Sequence, residues 1–158
     1  GRISPEKNIL KLIEMFSSGD KKLTIYGPFD KHDPSYCTKA MAAINANSNV
    51  NYGGVLKYTE IISTLSQYNT FYNISFSEGM PVSVLEAASV GLNLVLSNIP
   101  QHSDLKFPDA ISVDPHAPHI QNKFNGKSMN NKNHVENNYS IQQTVDQYRK
   151  LYEQLNNK

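Results

Sequence analysis

The sequence has 158 residues, a formal net charge of +1 and 18% charged residues, which is enough chain for one domain with a substantial core. With Lys21-Lys22 the nearest approach to a basic cluster, there is no electrostatic case for nucleic acid as a partner. Cys37 is the sole cysteine, which excludes a disulfide framework or a cysteine-based metal site and fits a reducing compartment; no apolar run approaches the roughly 20 residues of a membrane-spanning helix, and no signal peptide is visible.

Gly1-Arg2-Ile3 leaves no room for a strand before it, so an excised fragment with its first strand largely missing is expected. Ser4-Pro5 then caps a predicted helix with Ile9, Leu12, Ile13 and Phe16 at helical spacing, which Gly19 ends. Residues 22–26 (KLTIY) read as a buried strand stopping at Gly27-Pro28, and Asp33-Pro34 opens a second helix carrying Tyr36, Ala40, Met41, Ala43 and Ile44. A short strand over 50–52 precedes a Gly53-Gly54 turn, and 59–68 shows helical spacing through Ile61, Ile62 and Leu65. Residues 71–75 read as the next strand, 81–90 as a helix ending at Gly91, and 92–96 and 110–113 as two more strands. The stretch 121–138, rich in Asn and Lys, reads as a mobile loop or frayed helix end, and 139–158 as a final helix with Ile141, Val145, Tyr148, Leu151 and Leu155 on one face.

Short apolar strands alternating with helices through brief connections predict an α/β domain, a doubly wound, Rossmann-like parallel sheet with helices on both faces, over residues 1–120. Ligands bind such sheets at the carboxyl ends of the strands. Arg2-Ile3-Ser4, Gly27-Pro28, Gly53-Gly54, the Glu78 loop and Ser97-Asn98 all fall at those ends, so five loops converge on one edge. The most informative of them runs from Glu78 to Glu86, where a strand gives way to a helix. Gly79 frees the backbone there, and Pro81 suits a first helical turn. Amides at a helix start attract phosphate, and the two carboxylates can accept hydrogen bonds from vicinal hydroxyls. Phosphate with hydroxyls describes a nucleotide sugar.

Gly1-Arg2-Ile3-Ser4-Pro5-Glu6-Lys7-Asn8, Tyr26-Gly27-Pro28, Ser77 to Pro81, Leu85-Glu86-Ala87, Val90-Gly91 and Ser97-Asn98-Ile99-Pro100 resemble, in order, the C-terminal domain of group 1 (family 4) glycosyltransferases. The most specific element is the pair of glutamates embedded in EGMPVSVLEA. The resemblance implies half of a GT-B fold, the half that holds a nucleotide-sugar donor, in a retaining enzyme that moves a hexose-type sugar. Arg2 and Lys7 would grip the donor diphosphate and, with Glu78, form the catalytic set. Glu78 would meet hydroxyls of the transferred sugar and Glu86 the ribose, Gly27 and Gly79 would let the backbone approach, Met80, Pro81, Val82 and Ser83 would bring the helix start to sugar and phosphate oxygens, and the base would rest near Val55 and Leu56. Neither a metal nor another cofactor is implied, because cations and helix amides take up the leaving group's charge. The acceptor, a glycan or lipid-linked glycan, would be held by a missing N-terminal domain. The implied location is cytoplasmic, with membrane association at the inner face only through that missing domain. The fragment alone is expected to be inactive. The chain departs from the family pattern at Phe29, where many relatives have a second glycine, and at Asn93, where many have proline.

Other readings of these residues carry less. Glu78 alone is a helix-cap residue, Glu86 alone a solvated helix-face residue, and Arg2 and Lys7 ordinary surface cations. His116 and His119 lie beside Asp114 at a metal-like spacing, but Pro115 and Pro118 interrupt it and make it a surface loop. His32, His102 and His134 are isolated, and His102 follows a strand end where it could line the cleft. Ser77 and Ser83 lack a nucleophile–base arrangement. The rival class is a non-catalytic nucleotide- or sugar-binding module derived from such a domain.

Overall fold

A computed structural model describes residues 1–118, 124 and 126–156; the expected positions His119 and 121–123 lie outside them. The elements alternate: α1 (Ile9–Met15), β1 (Leu23–Tyr26), α2 (Pro34–Asn45), β2 (Val50–Gly54), α3 (Ile61–Leu65), β3 (Thr70–Asn73), α4 (Val82–Ser89), β4 (Asn93–Ser97), α5 (Pro100–Ser103), β5 (Ile111–Val113), α6 (Met129–Asn138) and α7 (Ile141–Asn156). All strand pairs are parallel. They form two groups, β1-β2 and β3-β4-β5, rather than one continuous ladder.

β4 shows why the helices cover both faces. All five of its residues are buried, and its side chains alternate between two cores. Val95 packs with Ile3, Leu12, Ile25, Ile44 and Ile74 on the face of α1 and α2. Leu94 and Leu96 pack with Val84, Ala87, Ala88 and Leu92 on the face of α4. A strand buried on both faces needs a continuous apolar run, and Leu94-Val95-Leu96 supplies it. The fold is a doubly wound α/β domain.

Three local readings change. The helix expected from Ser4-Pro5 is instead a 3-10 turn, Pro5–Lys7, followed by Asn8 with φ of 55°, and only then α1. The Ser4 side chain makes no capping bond. Asn tolerates this left-handed backbone better than most residues, and here its buried amide nitrogen donates to the Ile74 carbonyl (3.3 Å) and the Pro115 carbonyl (2.7 Å), tying the first turn to the ends of β3 and β5. Residues 59–68 divide into a 3-10 turn, Tyr58–Glu60, and the short α3. α5, which begins with Pro100 at its N-terminus, was not anticipated.

The largest departure is α6, within the stretch read as a mobile loop or frayed helix end. Its composition is mostly polar: Val135, and Tyr139 at its C-cap, pack against the second core, and polar anchors hold the rest. Ser128 Oγ accepts from the Asn131 amide (3.1 Å) and donates to Asp109 (2.7 Å), while Asn131, fully buried, accepts from the Asp109 amide and donates to the Leu92 carbonyl. Ser128→Ala should therefore lower stability by about 1 kcal/mol, the usual contribution of an N-cap, read as a lower urea midpoint with an unchanged m-value. A midpoint equal to wild type would show that the cap contributes nothing. α7 keeps its predicted amphipathic pattern, and Ile141, Val145, Tyr148, Leu151, Tyr152 and Leu155 are exposed on it; the helix is expected from its sequence to pack back on the domain or on a missing N-terminal domain. No helix among the described residues is long and apolar enough to cross a membrane.

Candidate functional site

The predicted loops meet at the carboxyl edge of the strands, and an ion pair joins them. Lys7 Nζ donates to Glu78 Oε2 at 2.6 Å. Glu78 Oε1 accepts from Ser75 Oγ (2.7 Å) and Asn73 Nδ2 (2.9 Å). The Glu78 side chain is only 6% exposed and that of Lys7 28%. The backbone fixes both partners: the turn before Asn8 presents Lys7, and the Phe76 amide donates to the Glu6 carbonyl (2.8 Å), locking the turn to the Glu78 loop. Burial pushes the Glu78 carboxyl up, but the bonds from Lys7, Ser75 and Asn73 outweigh it and hold the group below its ordinary value. Glu78 is thus an ionised, triply hydrogen-bonded anchor whose first partner is a protein cation. Lys7 retains two further donors.

Beside this pair lies a cavity of about 980 Å³. Among the predicted residues, Arg2, Lys7, Gly27, Val55, Leu56, Ser83 and Glu86 line it, whereas Glu78, Gly79, Met80, Pro81 and Val82 do not. Glu86, on the first turns of α4, is half-buried. Its carboxylate has no hydrogen-bond partner among the described residues, and burial raises its pKa. Arg2 is less committed: its guanidinium is 60% exposed and lies 3.9 Å from Asp30, a surface pair of small energetic weight. Val55 is exposed and Leu56 half-buried at the end of β2. Gly27 has φ of +143°, and a Cβ there would collide with the Gly1 carbonyl, so glycine lets the first segment lie against the end of β1.

The start of α4 offers fewer amides than expected. Pro81 has no N–H, and the Val82 amide donates to the Met80 carbonyl (2.8 Å). Among residues 80–83 that leaves the amides of Met80 and Ser83 for a ligand. Met80 and Val82 expose their side chains, and Gly79 is exposed, while Pro81 is buried.

A second set of buried polar groups supports the pair from below. Ser97 Oγ donates to the Ser75 carbonyl (2.6 Å) and lies 3.1 Å from His102 Nδ1, which is also 3.0 Å from the Ser97 carbonyl. A carbonyl only accepts, so Nδ1 carries the proton and Nε2 presents a lone pair. Nε2 is buried without a partner among the described residues. His102 therefore sits under the site rather than lining the cavity. Sequence reasoning missed Asn8, Asn73, Ser75 and Ser97; the only available signal was their position at strand ends and next to Lys7 and Glu78. Among the described residues no three His, Cys, Asp or Glu side chains come together as a metal's ligands.

This arrangement of strand-end loops agrees with the comparison of the sequence with known families: the profile described as Glycosyl transferases group 1 matches residues 1–118. The chain belongs to the group 1 glycosyl transferases. No curated protein matches it in sequence. Among solved structures, this glycosyl transferase chain resembles sucrose-phosphate synthase from Thermosynechococcus elongatus, with 17% identity, TM-score 0.79, and coverage of 98% of this chain and 44% of that one. Alr3699/HepE of Anabaena, solved in complex with UDP and glucose, gives 16% identity, TM-score 0.62, and coverage of 90% and 38%. The catalytic domain of cholesterol-alpha-glucosyltransferase from Helicobacter pylori gives 17% identity, TM-score 0.59, and coverage of 100% and 95%. The chain thus spans less than half the length of the first two. At these identities the likeness is one of fold, the Rossmann-like fold of GT-B glycosyltransferases.

Proposed function

We propose that this domain is the donor-binding half of a retaining glycosyltransferase, which moves a hexose-type sugar from a nucleotide diphosphate sugar to a glycan or lipid-linked acceptor held by another domain. The observation that carries the reading is Glu86: a half-buried carboxylate without a hydrogen-bond partner among the described residues, in the cavity that Lys7 and Arg2 also line. A partly desolvated carboxylate gains from a ligand that donates to both of its oxygens, and vicinal ribose hydroxyls do so by bidentate donation. Lys7, held by Glu78, directs its remaining N–H groups to the diphosphate, and Arg2 is free to swing onto it. Lys7, fixed by Glu78, then stabilises the departing diphosphate without reorganising, and Arg2 adds its charge once it has closed on it. Glu78, buried behind Lys7 and outside the cavity lining, orients the ammonium toward the ligand. The Val55–Leu56 segment packs the base, and the Met80 and Ser83 amides meet sugar and phosphate oxygens. UDP in the Anabaena structure supports a nucleotide donor of this kind. The reaction as drawn calls on no metal or other cofactor. It takes place in the cytoplasm, and any attachment to the inner membrane face comes from the acceptor-binding domain.

The test is calorimetric titration with UDP-, GDP- and ADP-sugars. Wild type should saturate with one of them, and Glu86→Ala should weaken that donor about 10-fold or more, the loss of a hydrogen bond to a charged group. If no donor gives a saturable signal, or Glu86→Ala binds as wild type, the assignment fails.

A further inference from the structure

One buried histidine takes no part in the proposed transfer, and its partners lead step by step to the ion pair. His102 is 4% exposed, and both hydrogen bonds of its ring among the described residues go to Ser97: Nδ1 lies 3.0 Å from the Ser97 carbonyl and 3.1 Å from Ser97 Oγ. Ser97 Oγ directs its single proton to the Ser75 carbonyl (2.6 Å), so toward His102 it is an acceptor. Ser75 Oγ in turn donates to Glu78 Oε1 (2.7 Å), with Asn73 Oδ1 as a second acceptor for the same proton at 2.5 Å. Glu78 Oε2 accepts from Lys7. Each side-chain donor from His102 to Ser75 points the same way, from α5 toward the carboxylate.

These side chains take over where the sheet ends. The β3–β4 ladder stops at the Asn73–Leu96 pair. Beyond it the Asn8 side chain donates to the Ile74 carbonyl, the Ser97 hydroxyl to the Ser75 carbonyl, and the Ser75 amide to Asn73 Oδ1 (3.2 Å). The segment that supplies two of the three donors to Glu78 is thus clamped from the Lys7 turn on one side and from the end of β4 on the other. Without the Ser97 hydroxyl the Ser75 carbonyl is released, and the Ser75 proton divides between Asn73 and Glu78. Ser75 and Ser97 are buried as deeply as His102, so water has no ready access to replace the lost donor. A buried polar group is costly unless bonded, and neither apolar core includes Ser97 or His102. Their shared line to Glu78 accounts for both.

We propose that Ser97 and His102 are positioning residues of the site: through Ser75 they fix the Glu78 carboxylate behind Lys7, and so aim the Lys7 ammonium into the cavity. Ser97 acts on the Ser75 backbone, and His102 acts on Ser97 by holding its hydroxyl toward Ser75. Neither lines the cavity, so neither touches a ligand there. What the aimed ammonium meets rests on the donor reading above; the ordering of Glu78 does not.

The test follows the Glu78 carboxyl carbon by NMR through an acid titration of the chain and its variants. Wild type should titrate below 4.5. Ser75→Ala should raise the midpoint by about half a unit, roughly threefold in proton affinity, the effect of one ordinary hydrogen bond. Ser97→Ala should shift it in the same direction and add nothing to Ser75→Ala in the double variant. His102→Leu should raise it too, and His102→Asn, which keeps a donor for Ser97, should restore the wild-type midpoint; where His102→Leu does not fold, Ser97→Ala decides. A lower urea midpoint in Ser97→Ala with the Glu78 carboxyl unmoved would overturn the proposal, because the serine would then serve stability alone. Additive shifts in the double variant would overturn it as well, since Ser97 would act by a route other than Ser75. In calorimetric titration with UDP, Ser97→Ala should bind at least about threefold more weakly than wild type. Equal UDP affinity beside a shifted carboxyl would overturn the aiming of Lys7. If wild type bound neither UDP nor any nucleotide sugar, the donor reading would fall, and the carboxyl shifts would still decide whether Ser97 and His102 position Glu78.

Discussion

Lys7→Met is expected to lower stability by about 3 kcal/mol, the lower end of the range for removing one member of a buried ion pair. The reason is what it leaves behind. Glu78 is 6% exposed, and without Lys7 its charge rests on Ser75 and Asn73 alone. At about 2–4 °C per kcal/mol for a domain of this size, the melting midpoint should fall by roughly 6–12 °C. Glu78→Gln in the same chain removes the stranded charge, so the double variant should be more stable than Lys7→Met alone, with a coupling energy above about 1 kcal/mol in the double-mutant cycle. If Lys7→Met melts within about 0.5 kcal/mol of wild type, as ordinary surface substitutions do, the pair has no structural role. The two variants also separate stability from binding. Glu78→Gln should retain most of the fold yet weaken the nucleotide-sugar donor, because Lys7 loses the anchor that aims it; Lys7→Met should weaken it further.

The elements that sequence made legible are those whose physics is local. β4 was visible because a run of apolar residues has few other uses, and α2 because Asp33-Pro34 is a capping signal that the structure realises through an Asp33–Tyr36 bond. The α6 segment was not legible, since its helix rests on Ser128, Asp109 and Asn131, residues that look like loop composition until the partner twenty positions away is known. The same distinction divides the site. The sequence singled out Lys7, Glu78 and Glu86 as expected site residues. It did not show that Lys7 and Glu78 meet, because that contact depends on Asn8 adopting a left-handed backbone and on a bond between Phe76 and Glu6. Nor did the motif show that Pro81 and the Val82–Met80 bond leave α4 with few free amides.

Acid should expose the cost of this site in two steps of one sign and one of the other. Burial depresses the His102 pKa below its ordinary 6.5, so between the folded value and 6.5 the unfolded chain binds more protons, and stability rises with pH through that window. His102 therefore supports the fold fully above pH 6.5 and ceases to do so as pH falls. Glu78 behaves alike in a lower window: its depressed carboxyl supports the fold above 4.5 and loses that effect as pH drops through its folded value. Glu86 opposes both. Burial raises its pKa, so the folded state binds more protons just above 4.5, and acidification there relieves a carboxylate that neutral pH leaves half-buried and unpartnered. Melting midpoints across pH 3–8 should therefore show a decline beginning near 6.5, absent in His102→Asn, whose amide can replace Nδ1 as donor to the Ser97 carbonyl without titrating. Glu78→Gln should remove the loss below 4.5, and Glu86→Gln should melt higher than wild type at neutral pH while binding the donor less well. A His102→Asn profile that declines as wild type does would place the upper step elsewhere. If Glu86→Gln gained no stability, burial would not disfavour the Glu86 carboxylate in the free domain, and the proposed donation from ribose hydroxyls would lose its driving force.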